Sequence, residues 1–408
     1  MAERGAPPPP PDAALLDRVN DWFTWLHRHP EPSFGERATA AFVARTLRSL
    51  GYEPSQSVGV GPAGDPLHGV VAVLGAGRSG PALAFRADLD ALPLTEVSGL
   101  PYSSERAGMM HACGHDAHAA MLLGAAAALK AQDERDPFPA PVVFIFQPAE
   151  EVPPGGAQGM IEAGVLEHPP VGAIFGLHQG TRDVGTFSVV DGPRNAASDT
   201  FRVTVTGKGG HAAFPHRTVD PILAACHVVV ALQGIVSRQI SPRQSAVITI
   251  GVIEGGTKEN VIPEVVTLRG TVRTLDVDVR EQMPGRIQAV AGGVATAYGA
   301  SAEVEYRRGY DVLVNEPAMT ALARAAAADV VGKERLLPAE PGMAGEDFGR
   351  YLQRVPGCFA TIGGGSPSVP PAERAGAHSP RFALDPGCLP YGVAWYQAVA
   401  RRYFGRSE

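Results

Sequence analysis

The densest run of ligand-type side chains in this sequence is His111-Ala-Cys113-Gly-His115-Asp116-Ala-His118. A thiolate and imidazoles are donors for a borderline-soft divalent cation such as zinc. On extended backbone alternate residues share a face, so Cys113 and His115 can address one pocket. Three histidines and a cysteine within eight residues favour metal binding over the plainer reading, a small buried cysteine beside loop histidines.

A second cluster is Phe146-Gln147-Pro148-Ala149-Glu150-Glu151. The apolar run 142–146 reads as a strand that delivers two adjacent carboxylates to its C-terminal end, where α/β sheets place their ligand sites. Neighbouring carboxylates do not chelate one cation comfortably. One can hold a metal while the other faces the activated water. Alone, the pair is better explained as a solvated turn. The next strand, 173–177, ends at His178, which repeats the pattern of a polar side chain at a strand end. His378, in Ala377-His378-Ser379-Pro380, lies in a Gly/Pro-rich stretch, and pattern leaves it open between ligand and ordinary loop residue.

These residues need elements to position them. Helical spacing predicts helices over 12–29, 36–50, 117–130 and 157–166. Short apolar runs at 70–74, 82–85, 142–146 and 173–177 alternate with them, the mark of an α/β layer with its sheet covered on both faces. From 200 the pattern changes to strand, long helix (220–237), two strands (246–253, 265–274), helix (277–298) and strand (302–306). That β-α-β-β-α-β order is ferredoxin-like. The α/β pattern resumes with a helix at 317–331, a strand at 359–362 and a closing helix. The expected organisation is a discontinuous α/β domain, 13–195 with 310–408, carrying an inserted α+β domain at 196–309. Gly75-Ala-Gly77-Arg-Ser-Gly80 matches a dinucleotide fingerprint, but Pro81 and another strand-like run follow instead of a helix, so a hairpin turn is the better reading.

Composition bounds the rest. At 408 residues, 45% hydrophobic and 19% charged, the chain suits two domains. A net charge of −7 and a pI near 6.0 argue against nucleic acid or a membrane surface as partner. Four scattered cysteines do not make a disulfide framework and point to a reducing compartment. The opening MAERGAPPPPPD lacks the apolar segment of a secretory signal, and residues 1–12 read as a disordered Pro-rich arm. Apolar stretches such as 119–129 fall short of the roughly 20 residues that span a bilayer. The cytoplasm is the expected location.

Ten ordered motifs then carry a resemblance: HRHPEPSF (27–34), RADLDALPL (86–94), HACGHDAH, FQPAEE, GLH (176–178), GKGGHAAFPH (207–216), ENVIP (259–263), GTVRT (270–274), GEDF (345–348) and AHSP. Together they resemble the aminoacylase/carboxypeptidase family of dinuclear metallohydrolases. The likeness is closest to its branch of hippurate hydrolases, N-acyl-amino-acid amidohydrolases and indole-3-acetyl-amino-acid hydrolases. The resemblance implies a zinc-peptidase-like catalytic domain with an inserted ferredoxin-like domain. It implies two divalent metal ions, zinc or manganese, with cobalt or nickel as further options. Cys113 would bridge them, and His115, Glu151, His178 and His378 would complete their coordination. Glu150 would be the general base, passing a proton from water to the leaving amine. Asp88 would support the ligands, in a motif where relatives outside this branch carry a histidine ligand and this chain has Arg86.

On the inserted domain, His211 would stabilise the oxyanion, while Asn260 and Arg273 would hold the substrate carboxylate. Hinge segments at 191–197 and 308–312 would close that domain over the site. Homodimerisation through it is a further implication, since exposed strands offer an edge to pair. The departures are Gln179-Gly180 and the Val-Pro-Pro after Glu151, both expected to border the substrate pocket. The activity implied is hydrolysis of N-acyl amino acids or similar small amides to a carboxylic acid and an amino acid. The alternatives are a small dipeptidase or carboxypeptidase on the same scaffold, or a non-catalytic metal- or substrate-binding protein. Glu150 beside Glu151 argues against the last, because a binding protein needs no base.

Overall fold

The computed structural model describes residues 12–405. The Pro-rich arm read in the sequence lies outside them, apart from Asp12, whose side chain caps the first helix by accepting the Ala14 N–H. The chain divides into two compact units. One comprises the chain up to Gly192, Val314–Glu340 and the residues from Asp347 onward; the other comprises Pro193–Leu313 with Pro341–Glu346.

The larger unit is built on a seven-stranded mixed sheet. Its centre is four parallel strands, in spatial order Val142–Gln147, Ala82–Asp88, Val171–Asp183 and Gly357–Gly365. The first two are buried at every residue, which explains why their sequences are near-continuous apolar runs rather than alternations. Pro66–Leu74 and Ser55–Val60 extend one side antiparallel, and Phe187–Ser188 closes the other. Helices Ala13–Arg28, Arg37–Ser49, His115–Arg135, Pro317–Val331 and Leu389–Tyr403 supply the core that packs on this sheet. Helix His115–Arg135 is alanine-rich and buried almost all round, so it is a core helix rather than a surface one. A Cβ at Gly124 would lie 2.6 Å from Val393 and 2.7 Å from Val19, so glycine there lets two neighbouring helices close on it. The Phe85, Phe144, Phe175 and Trp395 side chains fill the sheet side of that core; each large apolar side chain buried this way contributes about 1.5–3 kcal/mol.

Three local expectations are corrected. The central helix begins at His115, not at 117, because Gly114, in a left-handed conformation, is its N-cap and carries no side-chain cap to read. Cys113 and His115 therefore flank a turn instead of sharing an extended segment. The third central strand runs on to Asp183, so His178 sits within it and not at its end. The glycine-rich segment after Leu74 is not a hairpin: Val142–Gln147 lies between the two strands it joins. Its turn is instead held by Arg78, ion-paired to Asp133.

The smaller unit has one antiparallel four-stranded sheet, in order Ala246–Glu254, Val265–Thr274, Ala197–Thr206 and Ser301–Tyr310. Ala197–Thr206 alternates buried and exposed residues, as its Phe-Arg-Val-Thr-Val-Thr sequence requires. Helices Pro221–Gly234 and Val277–Ala297 cover one face around Phe201, Val203, Leu232, Met283 and Ile287. With the chain order strand, helix, strand, strand, helix, strand, this is the ferredoxin-like arrangement. The helical run Pro221–Gln239, 19 residues, is long and apolar enough by length and composition to cross a membrane, and is longer than any stretch weighed in the sequence. In this fold Ala224, Ala225, Val228, Leu232 and Ile235 on its inner side are buried in the core.

Candidate metal centre

The site lies beyond the C-terminal ends of strands Ala82–Asp88 and Val142–Gln147, beside His178. Between Cys113 and His115 the backbone turns at Gly114 with φ +84°, and a Cβ there would lie 2.6 Å from Gln179 Cγ. Only glycine suits both demands. His115 Nδ1 lies 2.9 Å from the Asp90 carbonyl oxygen and 3.2 Å from its Oδ1. A carbonyl can only accept, so Nδ1 donates, and in the neutral ring Nε2 keeps its lone pair. His178 repeats the device: Nδ1 donates to the Gln179 carbonyl at 2.6 Å, and Nε2 stands 3.5 Å from Cys113 Sγ. Such back-bonded rings, with the second nitrogen facing inward, are how metal-binding histidines are oriented. His118 differs. Its Nε2 accepts the Gln179 N–H and its Nδ1 donates to Asp88 at 2.7 Å, so both nitrogens are committed elsewhere.

Glu150 and Glu151 leave their strand through Ala149, which has φ +56°. Glu151 Oε1 lies 3.2 Å from His378 Nε2 and 3.8 Å from His115 Nε2, and Glu150 Oε2 lies 3.8 Å from the same His115 nitrogen. His378 itself has φ +64°, an uncommon conformation for a residue with a side chain. Its loop is tied down by the His378 N–H donating to the Ala112 carbonyl at 2.8 Å.

The donor atoms fall into sets. Cys113, His115 and His178 form one, Cys113, Glu151 and His378 another, each within 4.8 Å. The thiol belongs to both, which is a geometry for two cations sharing one sulfur. Two buried atoms test the fit. His115 Nε2 and Glu151 Oε1 are buried without a hydrogen-bond partner, although His378 Nε2 approaches Glu151 Oε1 to 3.2 Å. Orphaned lone pairs, sulfur, imidazole and carboxylate together suit two divalent metal ions.

Without a cation, the charges keep the site protonated: burial pushes the Cys113 thiol up to about 12. Burial would lower His115, but Asp88, Cys113 and Asp90 outweigh it and hold the ring well above its ordinary value. Burial would raise Asp88; His115, His118 and Arg86 hold it well below the usual carboxylate range instead. Asp88 sits 3.9 Å from His115 Nε2 and takes a 2.6 Å bond from the fully buried Arg86, which also bonds Gln147 and Asp347.

Sequence reading missed several partners. Asp90 supports both His115 and Glu151. The only signal was its place two residues after Asp88. Gln179, read in the sequence as bordering the substrate pocket, is buried, and its amide donates to the Cys113 carbonyl at 3.1 Å. Asp347, from GEDF, accepts from Arg86, Gln147 and the Ala157 N–H.

His211, Asn260 and Arg273 lie in the smaller unit. His211 pairs with Val261, and the Ala212 N–H donates to the Asn260 carbonyl at 3.1 Å, so His211 and Asn260 are neighbours. His211 Nδ1 accepts the Ala213 N–H, which leaves the ring proton of the neutral form on Nε2. Arg273 is half-buried on strand Val265–Thr274 and donates to the Val272 carbonyl.

Residues 84–402 match the family described as peptidase family M20/M25/M40. The chain is 44% identical over 339 residues to the N-acetyl-L-cysteine deacetylase of Bacillus subtilis (strain 168), covering 83% of this chain and 78% of that protein. It is 39% identical over 400 residues to the IAA-amino acid hydrolase ILR1-like 4 of Arabidopsis thaliana, covering 95% and 88% respectively. Among solved structures, a dinuclear metal binding peptidase of the M20 family from Bacillus subtilis superposes with a TM-score of 0.82 at 34% identity, over 97% of this chain and 99% of that one.

Proposed function

The chain belongs to the peptidase M20/M25/M40 family, and from that premise we propose that it is a metal-dependent amidohydrolase of N-acyl amino acids or similar small conjugates, releasing a carboxylic acid and an amino acid. The observation that carries this reading is a buried thiol common to two donor sets with Glu150 beside them. An N-acetyl-L-cysteine deacetylase and an IAA-amino acid hydrolase are among its relatives, which supports that substrate class.

Cys113, His115, Glu151, His178 and His378 would hold the two ions, with zinc or manganese the cations best matched to this mixed donor set. When bound, they supply Lewis acidity toward the amide carbonyl and toward water. Glu150 takes the proton from the attacking water and returns it to the leaving nitrogen, a step worth roughly 10²–10⁴ in rate. His211 presents Nε2–H to the developing oxyanion. Asn260 and Arg273 hold the substrate's carboxylate through amide and guanidinium N–H groups. The protein acts in the cytoplasm, where its four free cysteines stay reduced. It pairs as a homodimer through the smaller unit, whose edge strand and first helix expose Val247, Ile253, Ile222, Leu223 and Val230.

The test is hydrolysis of hippurate and N-acetyl amino acids beside an unblocked dipeptide, each with and without a chelator. Chelator-sensitive release from the acylated substrates is expected. Cleavage of the free dipeptide alone, or bound metal without turnover, overturns the reading.

A further inference from the structure

The motif 27–34 and the residues just after it have no part in the chemistry described so far. Its loop joins helices Ala13–Arg28 and Arg37–Ser49, and Glu36 stands at the N-cap of the second. An acidic residue there would ordinarily cap its own helix. This one makes no such bond. Its carboxyl is fully buried, and Oε1 accepts two backbone N–H groups, from Phe34 at 3.0 Å and from Ala149, 113 residues away, at 2.8 Å.

Phe34 and Ala149 share a second property. Both have left-handed backbone, at φ +66° and +56°, among only four non-glycine residues so placed in the described chain. That conformation costs about 1–2 kcal/mol for a residue with a Cβ and persists where surroundings impose it. One carboxyl oxygen is the acceptor for both. We infer that Glu36 is a positioning residue for Glu150, its buried carboxyl holding the strained Ala149 turn that aims the neighbouring Glu150 side chain. This rests on the base role proposed above for Glu150.

The geometry separates Glu150 from Glu151. The Glu151 N–H is anchored independently, by Asp90 Oδ2 at 2.9 Å. Glu150 thus lies between two pinned points, and only the first depends on Glu36. Loss of Glu36 loosens the residue before the base while the metal-facing neighbour keeps its anchor. Burial, with Asp90 adding repulsion, pushes the Glu36 carboxyl up to about 8, so at neutral pH a neutral acceptor does the holding. Glutamine, which keeps a carbonyl oxygen in the same place, should serve.

The experiment compares Glu36→Met and Glu36→Gln in the full chain. Glu36→Met is expected to lower kcat about 10- to 100-fold, the scale of an ångström-sized misplacement. KM and the metal content should stay unchanged. Glu36→Gln should restore kcat to within about threefold, so a general folding defect is distinguished from a lost acceptor. A second readout needs no turnover: hydrogen exchange of the Ala149 amide, in metal-free protein, speeds up in Glu36→Met and stays slow in Glu36→Gln. Unchanged kcat in Glu36→Met, equal loss in both variants, or unaltered exchange at Ala149 overturns the inference. If the wild-type protein hydrolyses no acyl amino acid, the functional reading fails, while the exchange measurement still decides whether Glu36 holds the turn.

Discussion

Asp90 Oδ2 accepts the backbone N–H of Glu151 at 2.9 Å. The other oxygen of the same carboxylate lies 3.2 Å from His115 Nδ1, and the Asp90 backbone carbonyl lies 2.9 Å from it. One residue therefore orients donors from two different elements, a helix start and a strand exit. Ser33 adds a 2.6 Å bond to Oδ2.

Asp90→Asn places an NH2 where one oxygen was, so a donor meets either the Glu151 N–H or the His115 ring N–H. Loss of such a supporting bond typically weakens metal retention roughly 10- to 100-fold. Competition against a chromogenic chelator measures it. Retention equal to wild type would show that Asp90 is dispensable to the centre.

The donor types at 111–118 and 146–151 were legible because metal-binding side chains cluster locally and strands 82–88 and 142–147 are unbroken apolar runs. The inserted unit was legible for a different reason: hydrophobic period switches from continuous to alternating at residue 200. His378 was not legible from pattern, since an irregular loop has no period; only the resemblance suggested it. Asp90 and Glu36 escaped for a related reason. The partners that give them their roles, His115 and Glu151 for Asp90 and Ala149 for Glu36, lie 25 to 113 residues away, and spacing rules carry no information about contacts made only after the sheet assembles. The central helix starts two residues before its predicted position because its N-cap, Gly114, has no side chain that a sequence pattern could show.

Cys113→Ser tests the shared sulfur. Burial holds the thiol near 12, so the metal-free protein carries a proton that a cation must displace. Binding accordingly strengthens as pH rises, and calorimetry in buffers of different ionisation enthalpy counts the protons released. The serine variant is expected to bind at least tenfold more weakly, because a hydroxyl is a much poorer bridging donor than a thiolate. It should also release fewer protons. Unchanged stoichiometry and proton count would remove Cys113 from both sets.

His27 governs a pH dependence outside the centre. Burial would lower this imidazole, yet Asp116 at 2.6 Å and Glu96 at 3.3 Å raise it from 6.5 to about 9. Burial would raise Glu96, but His27 and the Ser104 N–H bring it from 4.5 down to about 2. A raised base gives stability that is complete below its unfolded value and fades as pH climbs through its folded one. A lowered acid gives stability present above its unfolded value and lost as pH falls through its folded one. The cluster is therefore fully effective between about 4.5 and 6.5. At pH 6 His27→Gln is expected to cost at most about 3 kcal/mol, and the gap to wild type should narrow between pH 7 and 9. Thermal midpoints of both proteins across that range decide it. Parallel curves would mean that His27 is not the titrating group.

Glu150→Ala separates holding a metal from moving a proton. Glu150 lies within reach of His115 and Glu151, so proximity alone would allow it to be a ligand. One feature argues otherwise: Glu150 belongs to neither donor set that contains Cys113. The variant is expected to keep both metals by elemental analysis while its kcat on N-acyl amino acids falls by roughly 10²–10⁴. Metal lost together with activity would make Glu150 a ligand. Metal kept with activity near wild type would mean that the proton travels through another group.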